Sequence, residues 1–152
     1  MSYKLKMMLP LVGMFLLGCA AVWAVMGESR QVEQPLPQSL DDLAAVRLIE
    51  VKDAGGQIVL SGSFTVRTKP NGDSEGNATL AATGVDADAA GESEFEVSKK
   101  KDGSVGKELD VEVHNLAPGA SFSLFVDGQQ VAVFKTDPRG RADLEMSNRP
   151  FS

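Results

Sequence analysis

The sequence predicts an all-β fold, an antiparallel sandwich of about eight short strands set behind an uncharged N-terminal segment. Three observations carry this. Apolar residues recur at every second position in run after run, the period of strands with one face buried. Residues with specific turn uses, above all Asp-Gly and Asn-Gly, separate the runs at short intervals. No stretch beyond the N-terminal segment sustains the three-to-four-residue apolar spacing of a long amphipathic helix.

Taken in order, the chain opens with Lys4 and Lys6, followed by residues 7–27, which carry no charge. Twenty-one uncharged residues are enough to span a hydrocarbon core, and Pro10 falls where a first helical turn tolerates it. The lysines on one flank and Glu28 on the other orient such a segment with its N-terminus in the cytoplasm. Residues 28–45 contain Pro35 and Pro37 and read as an extended tether holding the domain off the membrane. Ser39, Asp41 and Asp42 supply the N-terminal chemistry for one short helical turn over residues 43–45.

From residue 46 the alternation takes over. Residues 46–52 and 57–67 flank Asp53-Ala54-Gly55-Gly56 and predict a hairpin, with Ile58, Leu60, Phe64 and Val66 on one face. Gly62 falls on that same face and marks a bulge or a close neighbour. A loop with Pro70 and Asn71-Gly72 leads into a strand over residues 76–83, with Ala78, Leu80 and Ala82 inward. Residues 84–91 form an acidic connection in which Gly91 supplies a positive φ. The strand over residues 92–98 turns Phe95 and Val97 inward and Glu94 and Glu96 outward. After a basic turn with Asp102-Gly103, Leu109, Val111 and Val113 alternate against Glu108, Asp110, Glu112 and His114. Leu116-Ala117-Pro118-Gly119 turns the chain into residues 121–146, read as three antiparallel strands joined at Asp127-Gly128 and at Thr136-Asp137-Pro138-Arg139-Gly140. Phe122, Leu124 and Val126 share a face, as do Ala142, Leu144 and Met146. One-sided alternation of this kind belongs to an Ig-like or Greek-key arrangement. Residues 53–60 and 127–134 echo each other as a turn, a Gln and apolar residues, the pattern an internal duplication would leave.

The composition narrows the chemistry. One cysteine, Cys19, excludes a disulfide framework within the chain, and one histidine, His114, excludes a His-His metal pair. All 21 acidic residues lie after the apolar segment, while Lys4 and Lys6 precede it, so the remainder is more acidic than the whole chain's −6. Such a surface repels nucleic acid. Asp86, Asp88 and Glu92 open like a calcium loop, with acids two apart and Gly91 following; Ala90 and Val97 stand where further oxygen ligands belong. Lys99-Lys100-Lys101 reads as a solvated hairpin tip. His114 has no nucleophile in an elbow-like context. Asn77-Ala78-Thr79 meets the glycosylation sequon inside a predicted strand. Beyond Tyr3 and Trp23 there is no Tyr or Trp on which to stack a sugar. No catalytic or cofactor-binding residue is assigned, and the chain reads as a non-enzyme.

Two stretches resemble known families. Leu16-Leu17-Gly18-Cys19, behind a basic start and a short apolar stretch, resembles the lipobox of bacterial lipoproteins, which implies cleavage before Cys19 and its lipidation. The continuation, residues 20–26, stays apolar where such proteins turn polar. An uncleaved anchor, a lipoprotein and an ordinary cleaved signal therefore stay open, and each places the domain outside the cytoplasm of a bacterium. From Leu80 to Leu144 the chain is similar to a β module of bacterial exported proteins of unassigned function. The residues that match are Gly84-x-Asp86-x-Asp88-Ala89-x-Gly91, Phe95, Leu109-x-Val111-x-Val113-x-x-Leu116, Pro118-Gly119, Phe125-Val126-Asp127-Gly128 and Gly140-Arg141-Ala142-x-Leu144. These are turn and core positions, so the resemblance implies a fold and no catalytic residue.

The expectation is a membrane-anchored extracytoplasmic interaction or structural module. It would be held by residues 7–27 and would meet an envelope protein through a sheet edge or hairpin loops. The alternative is a low-affinity calcium or small-ligand sensor using Asp86, Asp88 and Glu92.

Overall fold

The computed structural model describes residues 31–149; residues 7–27, with Cys19, lie outside them. The described residues form ten strands: β1 Gln31–Pro35, β2 Leu48–Asp53, β3 Ile58–Ser63, β4 Thr65–Thr68, β5 Ser74–Ala82, β6 Ala90–Lys99, β7 Val105–His114, β8 Ser121–Val126, β9 Gln129–Lys135 and β10 Ala142–Ser147. The all-β prediction holds. The strands join in one mixed sheet, ordered β1-β10-β7-β6-β5-β3-β2-β8-β9 with β4 beside β5, which curls nearly into a barrel. Among the described residues no helix is long and apolar enough to cross a membrane.

The period-two pattern delivers the core. Ile49, Val51, Leu109, Val111, Val113, Leu124, Leu144 and Met146 are all fully buried, and they alternate with outward neighbours along β2, β7, β8 and β10. In β3 and β9 the alternation breaks at a bulge. Val51 pairs with Leu60 and Lys52 with Ile58, leaving Val59 as the extra residue; Leu124 pairs with Ala132 and Phe125 with Gln130, leaving Val131. A bulge sets two residues against one, so Val59-Leu60 and Val131-Ala132 are buried as consecutive pairs. The echo between these two hairpins extends to the bulge and stops at the turn, since Asp127-Gly128 is a two-residue turn and residues 53–57 are not.

Four connections share one geometry. In residues 53–57, 69–73, 100–104 and 137–141, the first residue's N–H donates to the fifth residue's carbonyl and the fourth residue's N–H donates back to the first carbonyl. The fourth residue is always glycine, at φ +83°, +87°, +86° and +76°. A tight turn that exits through the left-handed region needs that residue type. At the two-residue turn both centres are left-handed, Asp127 at φ 48° and Gly128 at φ 83°. The Asp127 carboxylate accepts the N–H groups of Arg47 (3.0 Å) and Leu48 (2.8 Å), tying that turn to the start of β2.

Several expectations change. The last run does not extend the β8–β9 hairpin: after the 137–141 turn, β10 leaves β9 and pairs antiparallel with β7 and parallel with β1. The turn signals reversal and leaves the choice of partner strand open. The tether reading fails from Gln31 onward. Pro35, whose missing N–H would break a central strand, sits at the end of an edge strand, where it is tolerated. Beyond it, Leu40, Leu43 and Val46 are buried, with the two 3₁₀ turns Gln38–Leu40 and Leu43–Ala45 packed on the core. The Lys107 ammonium holds this segment through Asp41, 2.7 Å away. The predicted 57–67 strand divides at Phe64, which packs edge-on to Phe95 with centroids 5.3 Å apart. Gly62 has the close neighbour expected, because a Cβ there would overlap the Thr79 carbonyl oxygen. Gly91 is not left-handed. It lies within β6, where a Cβ would come 2.6 Å from the Glu112 carbonyl oxygen. Ala82 is exposed and Val97 only half-buried.

Candidate functional site

The strand order assembles a surface that no single strand has. Glu92, Glu94 and Glu96 point outward from β6, Glu108, Asp110 and Glu112 from β7, Asp143 and Glu145 from β10, and Glu75 from β5. These strands lie side by side, and their register sets acid opposite acid. Across the sheet, Glu75 faces Glu96, which faces Glu108. In the next row Glu94 faces Asp110, Asp110 faces Glu145, and Glu145 faces Glu33 of β1. In the third, Glu92 faces Glu112, which faces Asp143.

Directly opposed side chains have Cβ atoms about 4.5–5.5 Å apart, and like charges in that relation are destabilising. Cations touch the first row: Lys69 Nζ lies 2.7 Å from Glu75, and Arg149 Nη1 lies 3.6 Å from Glu108. Asp110 stands in the middle row. Partial burial raises its carboxyl, with Glu108, Glu145, Asp143 and Glu94 adding to the effect, and together they push it up to about 6. The rows border open depressions. One of about 260 Å³ lies among Glu75, Asn77, Glu94, Glu96, Glu108 and Asp110, and one of about 190 Å³ among Glu92, Glu94, Asp110, Glu112 and Asp143.

Of the residues singled out for calcium, Asp86 and Asp88 lie in the turn between β5 and β6, with the Ala89 N–H donating to the Asp86 carbonyl at 3.2 Å. Glu92 belongs to β6 and to the carboxylate face, opposite Glu112. Among the described residues no three His, Cys, Asp or Glu side chains stand together as metal ligands, so the structure does not gather Asp86, Asp88 and Glu92 into a site. His114 closes β7 opposite Ala90, half-buried. Lys100 and Lys101 occupy the β6–β7 turn as expected, while the Lys99 N–H donates to the Asp73 carboxylate at 2.8 Å. Asn77 is exposed in β5, opposite Glu94.

The alternating acids of these strands were visible in the sequence as a wet face. Their convergence was not, because it depends on β10 pairing with β7. No protein-family model, curated protein or solved structure matches this chain.

Proposed function

We propose that this chain is a non-catalytic interaction module of a bacterial envelope, held at the membrane through residues 7–27 with its β domain on the extracytoplasmic side. Its carboxylate face takes a cationic segment of a partner protein. The observation that carries this reading is the register. Three adjacent strands set acid against acid in successive rows, an arrangement that costs stability unless positive charge from outside offsets it. Surface charge alone would be served equally well by acids placed diagonally or opposite lysines. The finer architecture that goes with this reading is two-layered. One layer is β10–β7–β6–β5 and the other is β3–β2–β8–β9, meeting where β3 and β5 share just two residue pairs, Leu60↔Ala82 and Ser61↔Ala81.

The test compares two triple variants for binding of a lysine-rich peptide to the full chain in nanodiscs of uncharged lipid. Glu94→Gln, Glu112→Gln and Asp143→Asn remove charge from the face; Glu50→Gln, Asp86→Asn and Asp88→Asn remove the same charge elsewhere. Loss of binding of about tenfold or more in the first variant alone supports the face. Equal loss in both reduces the effect to net charge and ends the proposal.

A further inference from the structure

Asp110 occupies the centre of the middle row, between Glu94 of β6 and Glu145 of β10. Asp110 is half-buried while Glu94, opposite it on β6, is exposed. Around it, β6 contributes Glu92, Glu94 and Glu96, its own strand contributes Glu108 and Glu112, and β10 contributes Asp143 and Glu145. Beyond Glu145, β1 adds Glu33, and on the far side of β6, β5 adds Glu75 and Asn77. Among the described residues Arg149 lies at Glu108 and Lys69 at Glu75, while Lys107, adjacent in β7, points to Asp41. Asp110 is thus faced by carboxylates from the strands on both sides and from its own.

We propose that this row is a proton-responsive element: as the surroundings move from neutral to mildly acidic, the domain takes up a proton at Asp110, becomes more stable, and loosens its hold on a cationic partner. The coupling to a partner rests on the functional reading above, and the proton uptake does not. The chemistry follows from the placement. A carboxylate surrounded by carboxylates gains by becoming neutral, and once protonated it has a hydrogen to donate to acceptors on either side. Its carboxyl stands near 6, against an ordinary carboxylate value of 3.8. The folded form therefore binds the proton more tightly than the unfolded form. The stability from this group is fully present below the unfolded value and is lost as pH rises through about 6. That is the reverse of ordinary acid denaturation.

The experiment follows the melting temperature of the full chain in nanodiscs between about pH 7.5 and pH 5, for the natural sequence and for Asp110→Asn. The natural protein is expected to melt higher at the acidic end. Asp110→Asn is expected to melt higher than the natural protein at the neutral end and to lose most of the slope. Glu94→Gln provides a second reading, with the rise beginning at lower pH because one repelling neighbour is gone. A natural protein whose melting temperature stays level or falls over this range overturns the proposal. So does an Asp110→Asn variant that keeps the full slope. Lysine-peptide affinity measured on the same samples should fall by about tenfold from the neutral to the acidic end in the natural protein and change less in Asp110→Asn. A peptide that fails to bind even at the neutral end refutes the functional reading, while the melting slope still decides proton uptake.

Discussion

Replacing Gly140 with alanine isolates the contact on which the path from β9 to β10 depends. Gly140 lies at φ +76°, and a Cβ there would overlap the Leu116 carbonyl oxygen and come 3.1 and 3.2 Å from the Leu116 carbonyl carbon and nitrogen. All three are backbone atoms, so relief requires the 115–120 connection and the 137–141 turn to separate. The Leu116 N–H donates to the Gly140 carbonyl at 3.0 Å across the same contact. Left-handed geometry costs a non-glycine residue about 1–2 kcal/mol. Disrupting a hydrogen bond between buried residues adds about 1–3 kcal/mol. The sum, about 2–5 kcal/mol, is a large part of the stability of a domain this size.

Gly128→Ala is the matched control. Its φ is +83°, nearly the same, and nothing lies within 4 Å of its Cβ position, so it bears the conformational term alone. Equilibrium unfolding in urea separates the two. With a slope of about 1–3 kcal/mol per molar, Gly140→Ala should move the midpoint by about 1–3 M, and Gly128→Ala by about half of that. Equal midpoints would mean that the close approach of the two connections contributes nothing, and the reasoning would be wrong.

Other expectations follow from single contacts. Leu43→Ala should cost about 2–5 kcal/mol by calorimetry, because this fully buried side chain fills the core from a segment whose sequence looks like a spacer. A loss below about 0.5 kcal/mol, the level of a surface change, would return residues 36–45 to tether status. Asp127→Ala removes the acceptor for two backbone N–H groups and places alanine at φ 48°, and should cost about 1–3 kcal/mol, with Asp127→Asn recovering part of it. The pH profile of stability should peak in the mildly acidic range. The Arg141 N–H, and then that of Arg139, lower the Asp137 carboxyl, and the Lys99 N–H, with the Asn71 side chain, lowers that of Asp73. Their contributions are present above the ordinary carboxylate value and fall away as pH drops through the lowered ones, opposite in sign to Asp110. A melting temperature that rises steadily from strong acid to neutrality would contradict this.

The parts of the fold legible in the sequence are those decided by neighbours along the chain. Glycine at the fourth place of DAGGQ, KPNGD, KKDGS and DPRGR announces four turns of one kind, since few other residues tolerate that φ. Leu109, Val111 and Val113 announce a half-buried strand because side chains alternate across a pleat. The failures lie where distance in the chain decides. Nothing near Ala142 says that its run will pair with β7 rather than β9. Gly91 resembles a turn glycine and is a packing glycine, because the obstructing Glu112 carbonyl arrives from another strand. Residues 31–45, polar and bearing two prolines, hide Leu40 and Leu43 among them, and only the assembled core gives those leucines a place. The carboxylate face combines both cases. Each acidic strand could be read, and their meeting could not.

β1 determines how force would enter this domain. A pull on the chain ahead of Gln31, directed along the strand, loads the five pairs from Gln31↔Asp143 to Pro35↔Ser147 in shear and together, instead of peeling them one after another. Behind them stand the six pairs of β10 with β7 and then the long β6–β7 ladder. The carboxylate face is built on those same strands. A partner gripping the face and a tether ahead of β1 would therefore be joined by one unbroken line of tension through β1, β10 and β7, leaving the β8–β9 hairpin slack.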